Sequence, residues 1–478
     1  MKQARPKFNK TKLVATLGPA TSTREVIQKL ILAGVDVFRI NFSHGDLESH
    51  LHVVKLIRAL NSDMGTNVAI LGDLQGPKMR IGNLPEKSLE LEQGTEVVLT
   101  TSSDMADKAI HVKFPSLARD IKVGEKVLLD DGKLELEFTE IIDPEHVRAK
   151  VITGGTLLSK KGFNLPSTNL SVESITKKDR RDLDFAIEHK FDWVALSFVR
   201  EPSDIIQLRE ILSEHESAIN IIAKIEKPQA VENIDAIIDV TDGIMVARGD
   251  LGVELPMEEV PMIQKKAVLK CNRAGKPVII ATQMMESMIE SPTPTRAEAN
   301  DVANAVMDGA DAVMLSAETA IGQYPVKAVE AVERILRSTE DGWNIYNKAQ
   351  IPMPDSETFL SDEICYTAVT LGDTINAKAI ISMTQTGYTA YKIASCRPNC
   401  HVFIFTSNKQ LLTQLSLVWN VKVYYYDKRT NTDDTVKGVI ETLKELNWLK
   451  KDDIVINTAA MPAQEKRKTN TLKITKVR

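Results

Sequence analysis

The sequence predicts an α/β protein: a closed (β/α)8 barrel, interrupted by an inserted all-β lid domain and followed by a separate open α/β domain. Three observations carry this. Short, β-branched apolar runs alternate with helical patterns up to about residue 340; the rhythm lapses for over a hundred residues between Leu74 and Phe191; and it resumes, shorter, beyond a Pro-bearing linker.

The runs are KLVATLG (12–18), VDVFRINF (35–42), NVAILGDL (67–74), FDWVALSF (191–198), NIIAKIE (220–226), GIMVARG (243–249), PVIIATQ (277–283) and DAVMLS (311–316). Each is apolar on both faces, as a parallel strand buried on both sides requires. Helix signals separate them. TSTREVIQKLILAG has Ser/Thr caps before an amphipathic run and a Gly stop, and TPTRAEANDVANAVMDG repeats the pattern. Eight βα units close a barrel, here residues 1–75 and 161–345.

Within the gap the period shortens to alternating segments such as KVLLDDGKLELEFTEI and HVRAKVITGGTLLS, where DDG and TGG signal hairpins. Residues 76–160 are therefore expected to form a β domain over the barrel mouth, where a lid belongs. After IPMPDSETF (351–359), a helix from Asp362, a strand at 379–383, a helix to Ser395, strands at 401–405 and 421–426, a helix to Leu446, and strands at 453–458 and near LKITKV give a regulatory domain over 355–478.

Composition excludes several classes. At 478 residues and net charge −5, the chain has no basic face for nucleic acid. The basic start MKQARPKFNKTK leads into no apolar stretch, and no run approaches the ~18 apolar residues of a membrane span. Cys271, Cys365, Cys396 and Cys400 are sparse and irregularly spaced, so free thiols and a cytoplasmic location are expected.

Barrel active sites collect where strands end. Those ends carry Thr16; Arg39, Asn41, Ser43 and His44; Asp73; Ser197; Lys224 and Glu226; Arg248 and Asp250; Thr282 and Gln283; and Ser316 with Glu318. Glu226 and Asp250 suit one Mg2+ ion with positions left for substrate oxygens. Gly249 and Asp250 open a helix, whose N–H groups donate to a carboxylate or phosphate. Arg39 and Arg80 offer forked donors to phosphate. Lys224 shares a strand face with Glu226 and can neutralise either a phosphoryl group in transfer or an enolate oxygen. Such a set describes phosphoryl transfer, although no P-loop, GxGxxG, HExxH or GxSxG signature is present.

Eight blocks make the chain resemble the pyruvate kinase family: RINFSHG, GDLQGPKMRIG, KKGFNLP, AKIEKP, MVARGDLGVE, ATQMMESM, PTRAEANDVANAV and MLSAETAIGQYP. The likeness covers nearly the whole chain. It implies transfer from phosphoenolpyruvate to ADP, giving pyruvate and ATP, with Mg2+ or Mn2+ as cofactor. By that likeness Glu226 and Asp250 hold the metal and Lys224 the transferring phosphoryl group. Arg39 meets the substrate phosphate, Gly249, Asp250 and Thr282 its carboxylate, and Ser197 lines the same site. Thr16, Pro19, Asn41, His44, Arg80 and Lys161 face the nucleotide. Thr282, Ser316 and Glu318 are candidates for protonating the enolate through a relay. The family's monovalent-cation positions match Asn41, Ser43 and Asp73, and the local block Leu74, Gln75, Lys78 resembles its K+-independent branch, with the Lys78 ammonium expected near Asp73.

The loop TQTGYT (384–389), with Thr384, Gln385, Thr386, Gly387 and Thr389, reads as a phosphate cradle at a helix start. In the family this loop binds a phosphorylated allosteric effector; Lys466, Arg467 and Lys468 are candidates to complete it. A homotetramer follows from the resemblance alone. The other readings are a Mg2+-dependent carbon–carbon lyase and a non-catalytic paralogue; the first has no need of the nucleotide-side lid, and the second none of intact Lys224, Glu226, Asp250 and Thr282.

Overall fold

The computed structural model describes residues 8–84, 86–102, 109–168, 171–344, 346, 351–428, 432–460 and 468–478. The eight runs become β1 (Lys12–Thr16), β2 (Val37–Asn41), β3 (Ala69–Asp73), β4 (Trp193–Leu196), β5 (Asn220–Ile225), β6 (Gly243–Ala247), β7 (Val278–Ala281) and β8 (Ala312–Leu315). They form a closed barrel in sequential order with every neighbour parallel, and β8 returns to pair with β1.

The two-faced apolar pattern has its reason here. Val14, Val37, Leu71, Trp193, Ile222, Met245, Ile279 and Met314 fill the lumen. Their strand neighbours, including Leu13, Phe38, Ile70, Ile221, Ile244 and Val313, pack outward against the helices. The helices stop where the sequence signals. Arg24–Ala33 begins on the Thr23 hydroxyl, which accepts from the Val26 N–H, and ends at Gly34 with φ 119°. Arg296–Asp308 begins on a Thr295/Glu298 capping box and ends at Gly309, φ 98°.

The insert has its own core and two sheets. Ser88–Leu91 pairs with Gly155–Leu158, and a six-stranded sheet runs in the order Phe163–Asn164, Lys126–Leu129, Leu134–Asp143, His146–Thr153, Glu96–Thr100, Ile110–His111. Residues 161–165, assigned to the barrel by sequence, reach into this insert. Phe163–Asn164 pairs with Leu128 and Leu129, and Phe163 and Leu165 lie in the insert's core. A two-residue strand is too short to leave a periodic signal.

In the C-terminal domain β9 (Ala379–Met383), β10 (His401–Thr406), β11 (Val421–Tyr425), β12 (Ile454–Ala459) and β13 (Thr471–Lys476) lie in the order β11-β10-β9-β12-β13, with only β13 antiparallel to its neighbour. A short helix, Lys409–Gln414, was not expected from the sequence. The domain docks on the strand-start end of the barrel: Trp193 Nε1 donates to Gln414 O (3.1 Å) and Lys12 Nζ to Val421 O (3.0 Å). The strand-finish end is thereby left to the insert. Among the described residues no helix is long and apolar enough to cross a membrane.

Candidate active site

The lumen explains which polar residues meet. Thr16, Arg39, Asp73, Ser197 and Lys224 each stand two residues beyond lumen-facing Val14, Val37, Leu71, Ala195 and Ile222, so they form the next layer above the apolar ones. Their contacts make one network. Arg39 Nε donates to Asp73 Oδ2 (2.6 Å) and its Nη1 to Thr16 Oγ1 (3.0 Å). Lys224 Nζ reaches Ser197 Oγ (2.7 Å), Asp73 Oδ1 (3.2 Å) and Glu226 Oε1 (2.9 Å). Ser197 in turn donates to Leu74 O at 2.7 Å.

Electrostatics fix the charge states. Burial opposes the Lys224 charge, but the carboxylates of Asp73 and Glu226 outweigh it and hold the ammonium's pKa above its ordinary value. Burial would likewise push Asp73 up; Lys224 and Arg39 outweigh it, and the carboxyl lies below the usual range. Glu226 goes the other way. Burial raises it, and the like charge of Asp250 adds to the rise against the pull of Lys224.

Glu226 Oε2 accepts the N–H of Phe198 at 2.8 Å, while Oε1 is buried and has no well-directed hydrogen bond, only the ammonium beside it. Asp250 stays about a third exposed, with Lys78 Nζ 3.8 Å from its Oδ1. Among the described residues no three His, Cys, Asp or Glu side chains cluster to cage a metal. Two carboxylates, one carrying an orphaned oxygen, fit Mg2+ or Mn2+, which keep most positions for water and substrate. Next to them Gly249 N–H donates to Thr282 Oγ1 at 2.7 Å. A Cβ on Gly249 would stand 3.4 Å from that hydroxyl, so the residue leaves the cradle open.

Strain gathers at this rim: Phe198, Thr282 and Gln283 adopt left-handed φ values of 55°, 70° and 55°. Arg248 bridges Asp301 (2.7 Å) and Thr282 O (2.8 Å), holding the strained turn. Gly76, φ 66°, starts the insert. Its N–H is held by Asp179 Oδ1 at 3.1 Å, and a Cβ there would meet Ser197 and Phe198 at 3.0–3.1 Å.

Other predicted residues fall as follows. Ser316 follows β8, and Glu318 below it is buried, its oxygens accepting the Ser316 N–H (2.7 Å) and Met285 N–H (3.0 Å). Pro19 opens a turn of 3-10 helix, and Asn41 accepts the Ser43 N–H (3.0 Å) beside exposed His44. Arg80 and Lys161 lie at the insert's root: Arg80 bridges Gly162 and donates to Lys160 O (3.2 Å), and Lys161 pairs with Asp130 (2.8 Å). Lys78, expected near Asp73, has Asp250 as its ion partner, while the two Asp73 oxygens accept from Arg39 and Lys224. In the C-terminal domain Thr384 Oγ1 accepts the Gly387 N–H (3.0 Å), Thr389 meets Thr469 (2.7 Å), Gln385 accepts from Ser407 (3.1 Å), and Tyr388 turns onto Asp362. Thr386 is exposed, and Lys466 and Arg467 lie outside the described residues.

Sequence reasoning passed over Phe198 and Asp179, and the trio Lys227, Glu254 and Asn164. Only Glu254 left a trace, standing one helical turn after Asp250 in MVARGDLGVE.

A (β/α)8 barrel whose mouth brings Lys224 and Arg39 together with the carboxylates of Asp73, Glu226 and Asp250 beneath an inserted β domain defines an enzyme of the kinase type. The family model described as "Pyruvate kinase, barrel domain" matches residues 8–329, and that described as "Pyruvate kinase, alpha/beta domain" matches 362–475. The chain is 42% identical to pyruvate kinase 2 of Synechocystis sp. over 96% of its length and 77% of the relative's. It is 42% identical to the pyruvate kinase of Geobacillus stearothermophilus over 97% of its length and 80% of the relative's. The crystal structure of a pyruvate kinase from Cryptosporidium parvum superimposes with a TM-score of 0.92 at 36% identity, covering 98% of this chain and 96% of that one. The chain belongs to the pyruvate kinase family.

Proposed function

We propose that this enzyme transfers the phosphoryl group of phosphoenolpyruvate to ADP, forming pyruvate and ATP as the last step of glycolysis. The observation that carries the reading is Lys224, a buried ammonium kept charged between Asp73, Ser197 and Glu226. A β-phosphate oxygen of ADP attacks phosphorus, the bond to the enol oxygen breaks, and the enolate takes a proton at carbon. Lys224 and Arg39 neutralise the phosphoryl oxygens during transfer. The Gly249 N–H and the Thr282 hydroxyl, adjacent at 2.7 Å, are the groups that hold the substrate carboxylate. A divalent ion at Glu226 and Asp250, Mg2+ or Mn2+, supplies polarisation and charge neutralisation. Glu318 spends both oxygens on backbone amides, which favours Thr282 and Ser316 as the relay to the enolate. Arg80 and Lys161 at the insert's root, with Thr16, Pro19, Asn41 and His44 on the barrel side, form the nucleotide face.

The finer reading has three parts. Lys78 supplies a tethered positive charge at Asp250, and Arg39 and Lys224 saturate Asp73, which supports turnover without K+. The Thr384–Thr389 loop, opening the helix Tyr388–Ser395, supports an allosteric site for a phosphorylated effector. The family likeness supports a cytoplasmic homotetramer. One experiment addresses activity, cation and effector: a lactate dehydrogenase-coupled assay with phosphoenolpyruvate, ADP and Mg2+, run with and without K+ and with sugar phosphates or AMP. Expected are turnover that needs ADP and Mg2+, little response to K+, and activation that Thr384→Ala removes while basal turnover persists. No turnover overturns the activity, an order-of-magnitude rise with K+ the cation reading, and full activation of the variant the effector site.

A further inference from the structure

Beside the Lys224 network lies a second buried ion pair that phosphoryl transfer does not use. Lys227 Nζ stands 2.6 Å from Glu254 Oε1, and the side chains are 7% and 0% exposed. Glu254 Oε1 also accepts from Asn164 Nδ2 of the insert at 2.8 Å, and its Oε2 is buried with no hydrogen-bond partner. A fully buried carboxylate that leaves one oxygen unsatisfied is costly, and the geometry around it explains why it is retained.

Both ends of the pair adjoin the two carboxylates of the site. Lys227 follows Glu226 directly in the chain, and Glu254 closes the helix Arg248–Glu254 one turn after Asp250. Those carboxylates already have one ammonium each: Lys224 at 2.9 Å from Glu226 and Lys78 at 3.8 Å from Asp250. Lys227 is a third ammonium at the same rim. Its other contact is the face of the Phe198 ring, 6.0 Å away, and the Phe198 N–H is bonded to Glu226 Oε2 at 2.8 Å. A divalent ion must compete with every ammonium that can reach its ligands, and inside a protein each such charge acts over several ångströms with little screening.

We infer that Glu254 is a positioning residue: it pins the Lys227 ammonium away from Glu226 and Asp250, and so keeps these two carboxylates available to a divalent cation. The inference rests on the reading of Glu226 and Asp250 as the metal ligands. Asn164 adds a separate function, tying the insert to the same oxygen.

Electron paramagnetic resonance of Mn2+ titrated into the whole enzyme, with and without phosphoenolpyruvate, tests this without turnover. Glu254→Gln keeps the shape and removes the charge, and it should weaken Mn2+ binding about 10-fold to 100-fold, the range typical of residues that orient metal ligands. Neutralising the released cation as well, in Lys227→Met/Glu254→Gln, should restore most of the affinity. Lys227→Met alone should bind Mn2+ at least as tightly as the wild type. Asn164→Ala should leave Mn2+ binding unchanged and raise the KM for ADP. If the double variant stays as weak as Glu254→Gln, the residue acts through packing and the charge argument fails; loss of binding in Lys227→Met overturns it too. Wild-type binding in Glu254→Gln, with binding lost in Glu226→Gln, overturns the inference but not the ligand reading. Wild-type binding in Glu226→Gln overturns the ligand reading itself. Should Glu254→Gln fail to fold, Glu254→Asp, which draws the carboxylate back from Lys227 by one methylene, takes its place: weakened Mn2+ binding restored by adding Lys227→Met supports the inference, and wild-type binding overturns it.

Discussion

The two ends of the barrel each bury a cation among carboxylates, and they use it in opposite ways. At the strand starts Arg397 from the C-terminal domain meets both oxygens of Asp311 (3.2 and 3.1 Å), Asn272 Oδ1 (2.7 Å), and the carbonyls of Gly309 and Ala394, with the Trp419 ring 4.9 Å away. Asp311 is as fully engaged, accepting also from the Val278 and Trp419 amides. Only Arg397 Nε lacks a partner. At the strand finishes Lys224 meets three oxygens, but Glu226 Oε1 carries no well-directed bond, Asp250 is partly open, and three neighbouring residues sit at left-handed φ. A set of fixed partners cements a domain interface; a set with a partly open carboxylate is prepared for a ligand. Burial of charge alone does not separate the two, and each leaves one buried atom without a hydrogen bond. The open Asp250 does.

The largest effect that sharpens this contrast is at Lys224. Lys224→Gln should lower kcat/KM about a thousandfold or more, the scale of losing a preorganised charge at the reacting group. Thermal stability should fall too, since two buried carboxylates lose an ion partner, but Asp73 keeps Arg39 and Glu226 keeps the Phe198 amide, so the folded state should persist at assay temperature. Coupled assays and a melting scan on one preparation report both. A variant that keeps its kcat/KM while melting well below the parent would reverse the assignment of the two ends.

At the other end the expected balance is inverted. Arg397→Met leaves Asp311 buried without its ion partner, a change that costs about 3–5 kcal/mol. In a chain of several domains this should appear as a lower melting temperature and as faster amide exchange across the interface rather than as one unfolding free energy. Turnover at low temperature should stay within a few-fold of the parent. Loss of turnover with interface protection intact would mean that the floor belongs to the catalytic machinery.

How much of this was legible in the sequence follows from the range of each signal. The barrel was, because a strand buried on both faces must be apolar at every position, and eight such runs stand out against capped helices. The network at the mouth was legible for the same reason: Arg39, Asp73, Ser197 and Lys224 are the first polar residues beyond lumen-facing ones. What escaped depends on long-range pairing or single backbone angles. Asn164 and Glu254 lie 90 residues apart in the chain, and nothing local in FNLP announces the contact. Phe198 carries φ 55° in a position where any sequence rule expects a glycine. Lys78, expected near Asp73, has Asp250 as its ion partner, and the sequence does not show that Arg39 and Lys224 already occupy the two Asp73 oxygens. The helix Lys409–Gln414 is too short to hold an amphipathic period.

The smallest expected effect concerns a cation that the fold excludes. His401 at the start of β10 is packed among Phe8, Phe403 and Trp448, with ring centroids 5.5, 5.9 and 5.5 Å away. Burial pushes its pKa from 6.5 to about 4, and the ammonium groups of Lys10, Lys378 and Lys422 add to the fall. The folded state therefore binds the proton less readily than the unfolded chain. The stabilising contribution of the neutral ring is complete above the unfolded value and is lost as pH drops from there toward the folded one. Between pH 6.5 and about pH 5 the loss should amount to about 2 kcal/mol. Melting scans across this window should decline more steeply for the parent than for His401→Phe, which keeps the aromatic packing and cannot titrate. Parallel curves would mean that the ring is protonated in the folded state, or that other groups set the acid limb. Either result bears on the contrast between the two ends: Arg397 and Lys224 are cations supplied with carboxylates, whereas His401 has aromatic rings and three ammonium neighbours, and so must remain neutral.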